Sequence, residues 1–136
     1  MQAPSEPTNS AERAIAAFYQ GASSKDVLVQ QLMPEMVHLP MDRPPMVDEH
    51  GNEVQGEGLC VSRPSGEKCL VLVTSYPMFA PLAQEFPQYT RVFANYSLET
   101  VLVYTQPGYG FLLNPRTAFE FHISAQHAES IRSALG

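Results

Sequence analysis

The sequence predicts an α+β domain with one mixed, largely antiparallel sheet of about five to seven short strands and three to five helices. Two observations carry this. Short apolar runs of strand length alternate with segments whose apolar residues recur at helical spacing. Twelve prolines spread along 136 residues keep each element short. The length suits one domain, in which folding buries roughly two-thirds of the chain's surface. The composition, 44% hydrophobic and 16% charged, is that of a globular chain rather than a disordered one. The expected domain covers residues 10–136, behind a flexible, polar tail at residues 1–9.

Ser10 can cap a first helix, with Glu12 near its positive end and Ile15, Phe18 and Tyr19 at helical spacing before Gly21. A second helix starts at Ser24, buries Leu28, Leu32 and Met33, and stops at Pro34. Met36 to Pro40 reads as a strand. Met46 to Val54 forms a small exposed hairpin around the turn residues Asp48 to Asn52. Leu59 to Arg63 and Lys68 to Thr74 form a second hairpin, whose continuously apolar second arm suits a central strand.

Ser75 can cap a third helix over Tyr76 to Phe86, which Pro81 should bend or shorten. Tyr89 to Tyr96 is strand-like, with Val92, Ala94 and Tyr96 on one side. For Ser97 to Thr105 two signals conflict: the β-branched run favours a strand, and Ser97 followed by Glu99 favours a helix start. Gly110 to Asn114 and Ala118 to Ile123 are two more strands around an Asn114-Pro115 turn. Ser124 caps a last helix that turns Ala128, Ile131 and Leu135 inward.

Composition also excludes function classes. A net charge of −6, with eight scattered Lys and Arg, supplies no basic face for nucleic acid or for an anionic membrane. No run approaches the ~20 apolar residues that cross a bilayer, and the first residues lack the pattern of a signal peptide. A cytoplasmic location is therefore expected. Cys60 and Cys69 flank a turn. Some hairpin registers put both sulfurs on one face and others separate them; two buried free thiols are the expectation for a cytosolic chain.

No nucleophile elbow, phosphate loop, metal-ligand spacing or calcium loop occurs, so no catalytic residue, metal site or cofactor is expected. His122 and His127, five apart, span the end of a strand and the start of a helix. They lack the i, i+4 spacing of a helical metal pair. Seven residues remain as partner-binding candidates. Asp48, Glu49, Glu53 and Glu57 form an acidic lobe suited to steering a basic protein. Tyr76, Tyr89 and Tyr109 can anchor an interface where exposed.

A resemblance sharpens this. The chain runs through an apolar strand ending in Thr74-Ser75, a helix, a strand, a Ser97-led segment and then Gly108-Tyr109-Gly110-Phe111-Leu112-Leu113-Asn114-Pro115. That order, over roughly residues 25 to 135, resembles the N-terminal domain of the SseB family, the bacterial "enhanced serine sensitivity" proteins. The resemblance implies a domain built round one sheet and a helix at Ser97 to Thr105. It carries no catalytic residues across. Domains of this kind occur in bacterial toxin–immunity gene sets, which implies a non-enzymatic inhibitor binding a basic toxin or effector. The alternative it implies is a regulator linked to serine metabolism that binds a small ligand.

Overall fold

The computed structural model describes residues 2–135. Helix α1 (Ser10–Tyr19) begins one residue earlier than expected, because the side chain of Asn9, not Ser10, accepts the Glu12 N–H at 2.9 Å. Ser10 instead hydrogen-bonds Glu35. The helix ends as its glycine requires: Gly21 takes φ +85°, and the N–H groups of Gly21 and Ala22 donate back to the carbonyls of Phe18 and Ala17. The expected tail is anchored at its inner end, where Thr8 and Asn9 bond Glu12. Helix α2 (Lys25–Leu32) starts from Ser24 and buries Leu28, Val29 and Leu32.

The strands form ladders of two, two and four rather than one continuous sheet. Strand β1 (Met36–Met41) pairs with β6 (Val92–Ser97), antiparallel. The hairpin of β2 (Met46–Val47) and β3 (Glu53–Val54) stands apart, fully exposed. The larger ladder runs β4 (Cys60–Ser62), β5 (Lys68–Leu72), β7 (Tyr109–Leu113), β8 (Phe121–Ile123). Its pairings are antiparallel except for β5 with β7, which is parallel. Single bridges tie the ladders: His38 and Val73 exchange both backbone bonds, at 2.8 and 2.9 Å, and Met41 lies opposite Gly58. The two bridges reach different segments, Val73 beyond β5 and Gly58 before β4, and between them the Pro40 carbonyl accepts the Leu59 N–H at 3.0 Å.

Between β5 and β6 the helix expected over Tyr76 to Phe86 is a shorter 3-10 helix, Tyr76–Leu82, followed by a separate 3-10 turn, Pro87–Tyr89. Pro77 stands in the first turn, where its missing N–H costs nothing, but Pro81 removes a donor inside the element, and Ser75 makes no capping bond. Tyr89 therefore belongs to a turn, and β6 starts only at Val92. Helix α3 (Leu98–Tyr104) settles the conflict at Ser97: the serine caps Thr100, and Leu98, Val101 and Leu102 are buried at helical spacing. Arg132 of helix α4 (Ala125–Leu135) donates to the Leu102 carbonyl, fastening the end of α3. In α4, Ala128 and Ile131 face inward as expected, but Leu135 is half exposed on the rim of a cleft against α2.

The hairpin register pairs Cys60 with Leu70 and Val61 with Cys69, so the sulfurs lie on opposite faces and both thiols are free. Cys69 is buried; Cys60, expected inside, is exposed because the register turns it, with Leu70, toward an open cleft beside Tyr109. Among the described residues three polar side chains are buried, Glu12, Thr74 and Asn114, and they bond one another. Asn114, at φ 50°, accepts the Thr74 N–H at 2.9 Å and donates to Thr74 Oγ1 at 3.0 Å. Thr74 Oγ1 in turn donates to Glu12 at 2.6 Å. The Asn114-Pro115 turn is thus a structural clasp joining α1, β5 and β7.

Candidate functional site

The seven sequence-derived candidates fall in three places. Asp48 holds its own turn, accepting the N–H groups of His50 and Asn52 at 2.9 and 2.8 Å, while Glu49 and Glu53 are exposed beside it. The root of that hairpin is closed by Asp42 and Glu57, which exchange backbone bonds through the Asp42 carboxylate (2.7 Å) and the Glu57 carbonyl (3.0 Å). Tyr109 and Tyr89 are half-buried, the latter edge-on to Phe86. Burial raises the Tyr89 phenol above its ordinary range, helped by the Asp42 and Glu57 charges. Tyr76 is half exposed but stands elsewhere, stacked on His38 at 4.4 Å and edge-on to Phe93 at 5.1 Å.

Ladder register decides which of these share a surface, because partners across a ladder point to one face. Leu39 and Ala94 face one way with Tyr96; His38, Asn95 and Phe93 face the other, with Tyr76. Cys60, Leu70 and Tyr109 share a face of the larger ladder. On that side lies an apolar groove of two adjoining cavities that share Leu70 and Thr105. One, about 370 Å³, is lined by Leu39, Leu70, Tyr96, Thr100, Val101, Tyr104 and Thr105. The other, about 350 Å³, is lined by Glu57, Gly58, Cys60, Leu70, Thr105, Gln106 and Tyr109. Gly58 lets the floor close up, since a Cβ there would sit 2.9 Å from Leu39 Cδ1 and 3.1 Å from Leu70 Cδ1. Tyr104 stands at the edge with 84% of its surface exposed.

The groove therefore joins Glu57 and Tyr109, singled out in the sequence, to Leu39, Leu70, Tyr96 and Tyr104, which were not. Their only signal in the sequence was the alternation that put Tyr96 on the side of Val92 and Ala94. The acidic hairpin is rooted at the groove's mouth through Glu57. Although the residue is exposed, partial desolvation of its sulfur pushes the Cys60 thiol above its ordinary range, against the pull of Lys68 and with the help of Glu57.

A second cluster occupies the other face of the larger ladder. Glu67, Cys69 and His122 bring one oxygen, one sulfur and one nitrogen within 4.8 Å of one another. It is the single such group of three or more His, Cys, Asp or Glu among the described residues. Glu67 Oε1 lies 2.7 Å from His122 Nε2 and accepts from Cys69 Sγ at 3.3 Å, while Oε2 accepts the Ala125 N–H at 2.8 Å. The Ala125 N–H is the main reason the Glu67 carboxyl sits below its usual range; burial opposes it, and His122 and Cys69 assist. Burial, with the adjacent carboxylate, pushes the Cys69 thiol up to about 12. His127 takes a different partner, Asp26 at 3.1 Å, so the two histidines do not converge on one carboxylate.

Among the described residues no helix is long and apolar enough to cross a membrane. No protein-family model, no curated protein and no solved structure matches the chain.

Proposed function

We propose that this chain is a non-enzymatic, cytoplasmic protein-interaction domain that seats an apolar segment of a basic partner. We further propose that it serves as an immunity-type inhibitor of a bacterial toxin. The observation that carries the reading is the groove: an apolar floor of Leu39 and Leu70, aromatic walls from Tyr96, Tyr104 and Tyr109, and an acidic mouth at Glu57. Tyrosine supplies large contact area at low entropic cost and is enriched at interface hot spots. The exposed Glu49 and Glu53 add a negative field that speeds encounter with a basic surface. The toxin assignment rests on the SseB-like order of elements together with this charge. A second reading, a regulator binding a small ligand, draws support from the 370 Å³ cavity, which lies within the usual range for ligand pockets of about 300–1,000 Å³.

The test compares tagged wild type with Tyr104→Ala and Tyr96→Ala in pull-downs from the native cell. A stoichiometric partner held by wild type and weakened at least about tenfold in each variant supports the groove. A partner retained equally by all three overturns it. Co-expression then decides the inhibitor role: the chain, but not Tyr104→Ala, should restore growth to cells making that partner.

A further inference from the structure

We propose that Glu67, Cys69 and His122 form a binding site for a single Zn²⁺ ion, with solvent as the fourth ligand. The donor set is the first argument. One thiol, one imidazole and one carboxylate suit a borderline-soft ion, and the sulfur argues against magnesium or calcium, which take oxygen ligands.

Geometry is the second. Zinc bonds of about 2.0–2.3 Å in a tetrahedron put neighbouring ligand atoms roughly 3.5 Å apart. Here the carboxylate oxygen lies 2.7 Å from the imidazole nitrogen and 3.3 Å from the sulfur, and all three donor atoms lie within 4.8 Å of one another, so side-chain shifts of about 1 Å would admit the ion.

The scaffold supplies the third argument. Cys69 lies on β5 and His122 on β8, with β7 between them, so the ladder fixes their separation. On β7 the residue paired with Cys69 is Gly110, while His122 pairs with Leu112, two residues further along. A Cβ at Gly110 would lie 2.9 Å from Glu67 Oε1 and 3.0 Å from Cys69 Sγ, so the glycine keeps open the space in which the three donors meet. The outer oxygen of Glu67 is held by the Ala125 N–H, the kind of supporting bond that orients metal ligands. Access comes from one side: Cys69 is fully buried, while the side chains of His122 and Glu67 keep 27% and 19% of their exposure. Register places this site on the opposite face from the groove, so it stands independently of the partner-binding reading.

The competing explanation is a hydrogen-bonded clasp with no affinity for metal. Metal-free full-length protein is titrated with Zn²⁺ against a chromophoric chelator, and with Co²⁺ as a spectroscopic probe of thiolate ligation. One equivalent of Zn²⁺ should bind, Co²⁺ should give a thiolate charge-transfer band, and Cys60→Ser should change neither. His122→Gln and Cys69→Ser should weaken Zn²⁺ by more than the roughly 10- to 100-fold typical of changes outside the ligand set. Should those two fail to fold, wild type and Cys60→Ser decide alone. A Co²⁺ thiolate band missing from wild type, or lost in Cys60→Ser, overturns the site, as does Zn²⁺ affinity unchanged by Cys69→Ser in a folded protein.

Discussion

At one end of β5, Thr74 joins Glu12 and Asn114 in a polar cluster closed to solvent; just before the other end, Glu67 meets Cys69 and His122 in a cluster that keeps a solvent-facing side. Both join segments far apart in the chain, and both centre on a carboxylate that hydrogen bonds hold below its usual range. Their chemistry differs. The first is built of amide, hydroxyl and carboxylate groups that satisfy one another. Glu12 accepts from Thr8 N and Oγ1, from Asn9 Nδ2 and from Thr74 Oγ1, at 2.6 to 3.2 Å. The second contains a thiol, a weak hydrogen-bonding partner, beside an imidazole, and both are good metal ligands. A saturated network fixes a fold, whereas a soft donor set with one open side has capacity left for a ligand.

Substitutions that treat the two clusters unequally test the contrast. Asn114→Ala should have the largest effect, a loss of about 3 kcal/mol in urea unfolding. It strands the buried Thr74 N–H and leaves alanine at φ 50°. An effect below about 1 kcal/mol would show that the closed cluster contributes little to stability.

Glu12→Gln should cost about 1–3 kcal/mol at pH 7, with a defined pH dependence. Burial alone would raise the Glu12 carboxyl, but the bonds from Thr74 and Thr8 bring it below its ordinary value. A depressed folded value makes the carboxylate's contribution present above the unfolded value of about 4.3, and it is lost as pH falls through the folded value. The gap between wild type and variant in thermal melts should therefore be widest near neutrality and shrink in acid; a gap that is constant from pH 7 to pH 3 contradicts the assignment.

Gly110→Ala should have the smallest effect on stability, about 1–2 kcal/mol, because the neighbouring Glu67 carboxylate can yield part of the way. Its signature lies elsewhere: Zn²⁺ affinity should fall more than stability does. Equal stability and unchanged affinity would show that the space beside Gly110 is immaterial.

Much of this architecture was legible because its signals are local. Ser24 and Ser97 cap their helices, Gly21 ends α1, and the turn residues from Asp48 to Asn52 make the small hairpin. At Ser97 to Thr105 raw strand propensity lost to burial, since only a helix puts Leu98, Val101 and Leu102 into the core together. The third helix was misread in extent, because Pro81, inside it, lacks the N–H that α geometry would pair with the Pro77 carbonyl. The acidic lobe and tyrosines were found as residue types but not as a surface. Strand register, which the sequence leaves open, turns His38, on which Tyr76 stacks, away from the groove and turns Tyr109 toward it.

By itself the sequence determined the α+β class, the hairpins, the negative charge and the starts of the helices capped by Ser24, Ser97 and Ser124; the structural ones among these follow from contacts a few residues long. Only the tertiary structure decided that β5 pairs in parallel with β7, that Leu39, Leu70 and Tyr104 line one groove, and that Glu67 reaches His122 across 55 positions. The reason is physical: periodicity and capping act within one element, whereas strand order and register are selected by the burial of whole faces against one another.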